Sequence, residues 1–276
     1  MNISESKENV VASRPRVLVT TSWDDDAASG MRVAELLGER KMQATFYVPT
    51  GELKGGSRFT VGNLRTLSGN GFEIGAHTIS HRVLTELGEA EMAEEVSGCK
   101  SMLEQMLGGE VVMFCYPRGR FNAKIIREVR RAGYGGARTT RMLCSDVVFP
   151  PLEMPSTLQA YPHTRSNYFR NVARLGGLSA LARSMPEMIC FENWVKLAKK
   201  LFDQVLRNGG VWHLYGHAWE LEKLNLWAQV EEVLDYVSGR DAVAYLTNAQ
   251  VLQRVKAHDE AGSAQVPGER QATLAR

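Results

Sequence analysis

The sequence predicts an α/β fold, a parallel sheet or barrel dressed with outer helices, and three observations carry that expectation. Short runs rich in β-branched and aromatic residues alternate with longer stretches of helical periodicity, the pattern of repeated βα units. No linker, repeat or low-complexity block interrupts the chain before residue 258. The 276 residues, 44% hydrophobic and 23% charged, suffice for one large core. The expected organisation is a flexible segment over 1–15, a single domain over 16–257 and a disordered tail over 258–276.

Residues 16–21 (RVLVTT) read as a first buried strand, followed by the acidic run Trp23-Asp24-Asp25-Asp26. Over 27–40, Met31, Ala34 and Leu37, with Val33 and Leu36, have helical spacing. Residues 44–48 (ATFYV) form the next strand. Thr60 is the expected N-cap of a helix carrying Val61, Leu64 and Leu67 and stopped by Gly69 and Gly71. Residues 72–76 (FEIGA) are a third strand that delivers His77. A helix over 89–107 aligns Met92, Val96, Cys99, Met102 and Met106 in a stripe suited to core packing. A strand over 110–116 ends in Pro117-Arg118-Gly119; a helix over 122–132 and a short strand over 134–138 follow.

The least regular portion, 142–185, is read as a strand plus excursions over one face. A helix over 193–207 closes at Asn208-Gly209-Gly210. A strand over 211–217, a helix over 222–237, a strand over 243–246 and a helix over 249–256 complete the domain.

A net charge of +2 excludes the basic footprint of a nucleic-acid binder. Residues 1–16 lack the apolar centre of a secretory signal, and no apolar run reaches membrane-span length. Cys99, Cys115, Cys144 and Cys190 show no close pairing and are expected to be reduced. A cytoplasmic enzyme fits these features.

In parallel α/β architectures, sites gather where strands end. Three of the six histidines, His77, His81 and His217, fall at or just beyond expected strand ends, and Asp24, Asp25 and Asp26 follow the first strand. His77 and His81, at i and i+4, would share one face of a helical turn, close enough to grip one cation. The alternative is two independently satisfied histidines at a helix start. One carboxylate plus two imidazoles leaves positions open for water, as in catalytic rather than structural metal sites. Adjacent carboxylates resist ionising together without a cation among them, and a metal taking one would leave the other as a base. An acidic N-cap cluster for the following helix is the alternative, and it is preferred for Asp26. Along 211–217, positions 213, 215 and 217 share a face. His217 at the strand end can reach a pocket and donate a proton; His213, deeper, is read as a hydrogen-bonded core histidine.

Ser22-Trp23-Asp24-Asp25-Asp26 is similar to the T-F-D-D-G motif of polysaccharide deacetylases, the NodB-homology domain of carbohydrate esterases. His77-Thr78-Ile79-Ser80-His81 matches that family's H-[ST]-x-x-H. Residues 114–119 (FCYPRG) resemble its R-x-P-Y-G, and 212–220 (WHLYGHAWE) its late histidine segment. The four agree in order, and the resemblance runs over 16–256. It implies a distorted (β/α) barrel and a divalent metal, usually zinc, held by Asp25, His77 and His81. It further implies Asp24 as general base, His217 as general acid, and the backbone N–H of Arg118, beside Tyr116, as an oxyanion donor. The implied substrate is an N-acetylated sugar or glycan, including a lipid-linked intermediate. A formamido sugar or another small amide is the close alternative, and a non-catalytic carbohydrate-binding relative the distant one.

Two departures stand out. Asp26 replaces a glycine, and Cys115 replaces the arginine that orients the base. Arg138, at the end of the next strand, is expected to take over that task, with a solvated strand-end arginine as the alternative. His163 lies in the irregular portion as a substrate contact or a loop histidine without a role. Trp219, Tyr161 and Tyr168 are candidates for stacking on a sugar, or for packing alone.

Overall fold

The computed structural model describes residues 17–25, 28–52, 59–174 and 193–255. Strand β1 (Val17–Asp24) is buried at all eight positions, as befits the middle of a parallel sheet covered on both faces. Along one edge it pairs throughout with β7 (Gly210–His217). The other edge is shared: β2 (Ala44–Val48) takes Thr21 to Asp24, and β8 (Val243–Tyr245) takes Val17 to Val19. Beyond β2 lie β3 (Glu73–Ala76), β4 (Met113–Cys115) and β5 (Gly136–Arg138), while β6 (Leu158–Gln159) flanks β7. The order is β5-β4-β3-β2-β1-β7-β6, with every pairing parallel.

Met154 bridges Arg138 of β5, and shortly afterwards Thr157 N–H and Ala160 N–H donate to the His213 and Tyr215 carbonyls of β7. Residues 154–160 thus carry the backbone from one sheet edge to the other. The sheet curls into a half-barrel, the distorted barrel expected from the sequence.

Helices wrap the outside: α1 (Gly30–Glu39), α2 (Val61–Gly69), α3 (Glu89–Ala93), α4 (Cys99–Leu107), α5 (Ala123–Arg131), α6 (Arg165–Arg174), α7 (Trp194–Asn208), α8 (Ala218–Leu224) and α9 (Trp227–Val237). Thr60 caps α2 by accepting the Asn63 N–H. Asn193 caps α7 in the same way through Lys196. A separate apolar cluster inside the barrel joins Leu18, Tyr47, Met113 and Val211 to Val251, Leu252 and Val255 of the helix over 248–255. Leu18 and Val211 begin their strands, so this last helix closes the end where the strands start. The opposite end is left for the site.

Several elements differ from expectation. α1 starts at Gly30 with Ser29 as its N-cap; Asp26 and Ala27, on which the acidic-cap reading rests, lie outside the described residues. The helix expected over 222–237 is two, because Asn225 takes a left-handed conformation (φ 52°) and ends α8. Between α3 and α4 the chain makes a π-turn, Glu94–Gly98, where a plain helix was expected. β4 and β5 are shorter than their sequence runs. Residues 1–16, 175–192 and 256–276 fall outside the described residues, including 175–185 of the irregular portion and Cys190. Among the described residues no helix is long and apolar enough to cross a membrane.

Candidate metal centre

With all strands parallel, their C-terminal ends converge on one rim. Register then decides who meets whom: Asp24 lies opposite His217 on one side and Tyr47 on the other, and Cys115 lies opposite Arg138. Asp25, one residue past β1, turns through φ 70° while its N–H donates to the Tyr47 carbonyl at 3.2 Å. Aspartate is among the few non-glycine residues that tolerate this region.

His77 follows β3 directly, its N–H bonded to the Val48 carbonyl. Its Nδ1 lies 2.8 Å from the Cys115 carbonyl, which only accepts, so Nδ1 carries the proton and Nε2 presents a lone pair. That Nε2 is 3.5 Å from Asp25 Oδ1, and His81 Nε2 is 3.3 Å from the same oxygen. Burial pushes the His77 pKa down to about 4, against the opposing pull of Asp24 and Asp25, so the ring is neutral near pH 7. Among the described residues, Asp25 Oδ1 is buried with no hydrogen-bond partner. A lone pair and an orphaned carboxylate oxygen therefore face each other with no proton between them. A divalent cation resolves that conflict, and a backbone carbonyl holding the far ring nitrogen is a common support for histidine ligands.

The segment from His77 to His81 is not the helical turn expected from the i, i+4 spacing. Thr78 and His81 are both left-handed (φ 67° and 57°), and the His81 N–H donates to Thr78 Oγ1 at 3.0 Å. Neighbours staple this loop in place. Glu95, in the π-turn, accepts the Ile79 and Ser80 N–H groups at 2.8 Å each and also the Ser80 hydroxyl. Gly51 N–H donates to the Ile79 carbonyl at 2.7 Å, and a Cβ at Gly51 would lie 2.8 Å from that oxygen. Glu95 was not singled out in the sequence, although an acid beside Val96 in an apolar stripe is a signal. Glu95→Ala would leave two loop N–H groups without an acceptor. It is expected to lower stability by about 1–3 kcal/mol in denaturant unfolding; an unchanged midpoint would mean the staple contributes nothing.

Asp24 is mostly buried, and Arg138 reaches both of its carboxylate oxygens. The guanidinium is fully buried, with its carbon 4.6 Å from the Tyr215 ring centre and 5.3 Å from that of Tyr47. This excludes the solvated-arginine alternative. Burial alone would raise the Asp24 pKa, but Arg138, with His77 and His217, outweighs it, and the carboxyl sits below its ordinary value of 3.8. Asp24, His77 and Cys115 are also close enough to share an ion. That triad is the poorer donor set: Arg138 already occupies Asp24, and burial pushes the Cys115 thiol well up, which keeps it protonated.

His217 Nδ1 is 2.7 Å from Glu220 Oε2, while Nε2 lies 3.9 Å from Asp24 Oδ2 and 3.7 Å from Asp25 Oδ2. Burial would lower the His217 pKa, but the Glu220 hydrogen bond and the charges of Asp24, Glu220 and Asp25 raise it above 6.5. Gln159 ties this pair to a wider network. Its Nε2 donates to Glu220 at 3.0 Å, and its Oε1 accepts from the Tyr215 hydroxyl and lies 2.7 Å from His163 Nε2. Glu220 and Gln159 were missed. Glu220 stands three residues after His217, a spacing that could have revealed it.

The remaining candidates divide. Arg118, left-handed at φ 54°, is exposed and lines an open cleft of about 390 Å³ together with the aspartates and histidines above. Tyr116 borders that cleft, but its hydroxyl is committed to the Leu152 carbonyl. His163 does not line the cleft and reaches it only through Gln159. Trp219 does line it, 41% exposed, with its indole N–H 3.3 Å from Asp25 Oδ2. Tyr168 is buried and Tyr161 packs on His163, so neither presents a free face to the cleft. His213 lies in the core between Ser22 Oγ and the Pro155 carbonyl. Among the described residues, Cys99, Cys115 and Cys144 form no disulfide with one another.

This fold and this rim of carboxylates and imidazoles define a class. Residues 12–137 match the family model described as polysaccharide deacetylase. That match covers somewhat less than half of the chain and marks a similarity to that family. The Bacillus subtilis protein YxkH, named for the same family, is 25% identical over 125 residues, 45% of this chain and 44% of that one. The chain thus matches less than half the length of that relative. In fold it is similar to a Mycobacterium smegmatis protein named for the same family (17% identity, 96% of each chain, TM-score 0.66). It also resembles the chitin deacetylase of the fungal pathogen Colletotrichum lindemuthianum (15% identity, 87% of this chain and 88% of that one, TM-score 0.54).

Proposed function

We propose that the chain is a metal-dependent amide hydrolase that removes the N-acetyl group from an N-acetylated sugar or glycan and releases acetate. The observation that carries this reading is Asp25 Oδ1, buried and without a hydrogen-bond partner among the described residues, facing the Nε2 atoms of His77 and His81. One carboxylate and two imidazoles form a donor set suited to zinc, with coordination positions to spare. A divalent cation held there would polarise a carbonyl oxygen and acidify a water at neutral pH.

The chain's own residues supply the proton traffic. Asp24 takes a proton from the attacking water, whose oxygen bonds to the amide carbon. Arg138 keeps that carboxyl ionised and fixes its orientation. The Arg118 backbone N–H is assigned to the developing oxyanion, in the tight turn after Pro117. As the carbon–nitrogen bond breaks, His217 Nε2 gives its proton to the departing amine. Glu220 anchors the other ring nitrogen and favours the protonated form that an acid requires. The products are acetate and a free amino sugar.

Incubating the protein with a panel of N-acetylated glycans and measuring acetate tests the reading. Chelation is expected to abolish release, and added zinc or another divalent cation to restore it. Full turnover in a metal-stripped sample would overturn it.

A further inference from the structure

The carboxylates of the cleft face groups other than Arg118. Asp24 is held by Arg138, Asp25 faces the two imidazoles and the Trp219 N–H, and Glu220 is shared by His217 and Gln159. Among the described residues that line the cleft, one cation is left over. Arg118 lines the cleft, is exposed, and among the described residues holds no carboxylate. Two other arginines behave differently: Arg120 pairs with Glu86 at 3.0 Å and Arg141 with Glu153 at 2.8 Å.

The backbone that carries Arg118 is rigidly placed. Gly119 N–H donates to the Tyr116 carbonyl at 2.8 Å, and Arg120 N–H to the Pro117 carbonyl at 3.1 Å. Gly119 (φ 63°) lies so close under Thr140 that any Cβ there would overlap the threonine side chain. Arg118 itself holds a left-handed φ of 54°. Non-glycine residues held in that region cluster at binding sites. Arg118 therefore stands on a fixed turn at the cleft, with a guanidinium that holds no carboxylate among the described residues.

Resting on the deacetylase reading, we infer that Arg118 is a specificity-determining residue that selects an N-acetyl sugar bearing an anionic group, a carboxylate or a phosphate. A guanidinium suits either, because its planar donor fork matches two oxygens of each. The charge of the substrate, not only its acetamido group, then sets which glycan is accepted.

Calorimetry on the zinc-loaded full chain tests this with three amino sugars that cannot be deacetylated: glucosamine, glucosamine 1-phosphate and muramic acid. The unmodified protein is expected to bind at least one anionic ligand about ten-fold more tightly than glucosamine, the scale of one charge-assisted hydrogen bond. Comparing the phosphate with the carboxylate shows which group is preferred. Arg118→Gln should bring that ratio to near unity, and Arg118→Lys should retain part of it. Equal affinities in the unmodified protein would overturn the inference. So would a preference that persists in Arg118→Gln, which would place the anion on the bound cation instead. Acetate release, assayed separately, distinguishes the two failures: acetate without anion preference sinks the subsite alone, and anion preference without acetate sinks the deacetylase reading.

Discussion

Asp24→Asn is expected to lower turnover by about 10²–10⁴-fold, the range a lost general base commands. The amide has nearly the size of the carboxylate but cannot accept the proton from water. Asp25, His77 and His81 are unchanged, so affinity for a divalent cation should stay close to the unmodified value. Cation binding and acetate release measured on the same sample separate the two adjacent aspartates. If the variant loses the cation instead, the roles of the two aspartates have been exchanged.

Arg138→Met is the second large effect, and it appears first in stability. Breaking one side of a buried ion pair costs about 3–5 kcal/mol, because the remaining charge is left without compensation. Arg138 is fully buried against Asp24, and its aromatic neighbours offer no replacement for the carboxylate's partner. The pH dependence has a definite sign in the metal-stripped protein. In the unmodified chain the Asp24 pKa is lowered, so its contribution is present above the unfolded value of 3.8 and is lost as pH falls through the folded value. Without the guanidinium, burial dominates and the folded pKa rises. The variant's deficit should then be largest near neutral pH and shrink as the medium becomes acidic. A double replacement, Asp24→Leu with Arg138→Met, should recover much of the loss although it is inactive. A deficit independent of pH would mean that packing around the guanidinium, not its charge, supports the fold.

Arg138 also shows how much of the site was legible in advance. Cys115 stands where the family motif carries arginine, and Arg138 was expected to compensate from the adjoining strand. The register that places Cys115 opposite Arg138 makes such a substitution geometrically simple: the cation moves over by one strand and still reaches Asp24. His77 and His81 were legible for a different reason. Short motifs keep their spacing in the chain, and both histidines do face Asp25. Their local conformation was not legible, because the i, i+4 interval suits a helix and nothing nearby announces two left-handed residues. Glu95, Gly51 and the π-turn impose that shape from other segments.

Alternation of strand and helix, the placement of acids and histidines at strand ends, and the capping residue Thr60 are properties of local sequence, so the chain alone determined them. Which side chains complete the site was decided by tertiary structure. Gln159 reaches Glu220, the partner of His217, only because β6 lies beside β7, and Tyr116 loses its hydroxyl to Leu152. Periodicity reports which face of an element is buried. It does not report which strand will lie alongside, and hydrogen bonds between distant segments depend on that.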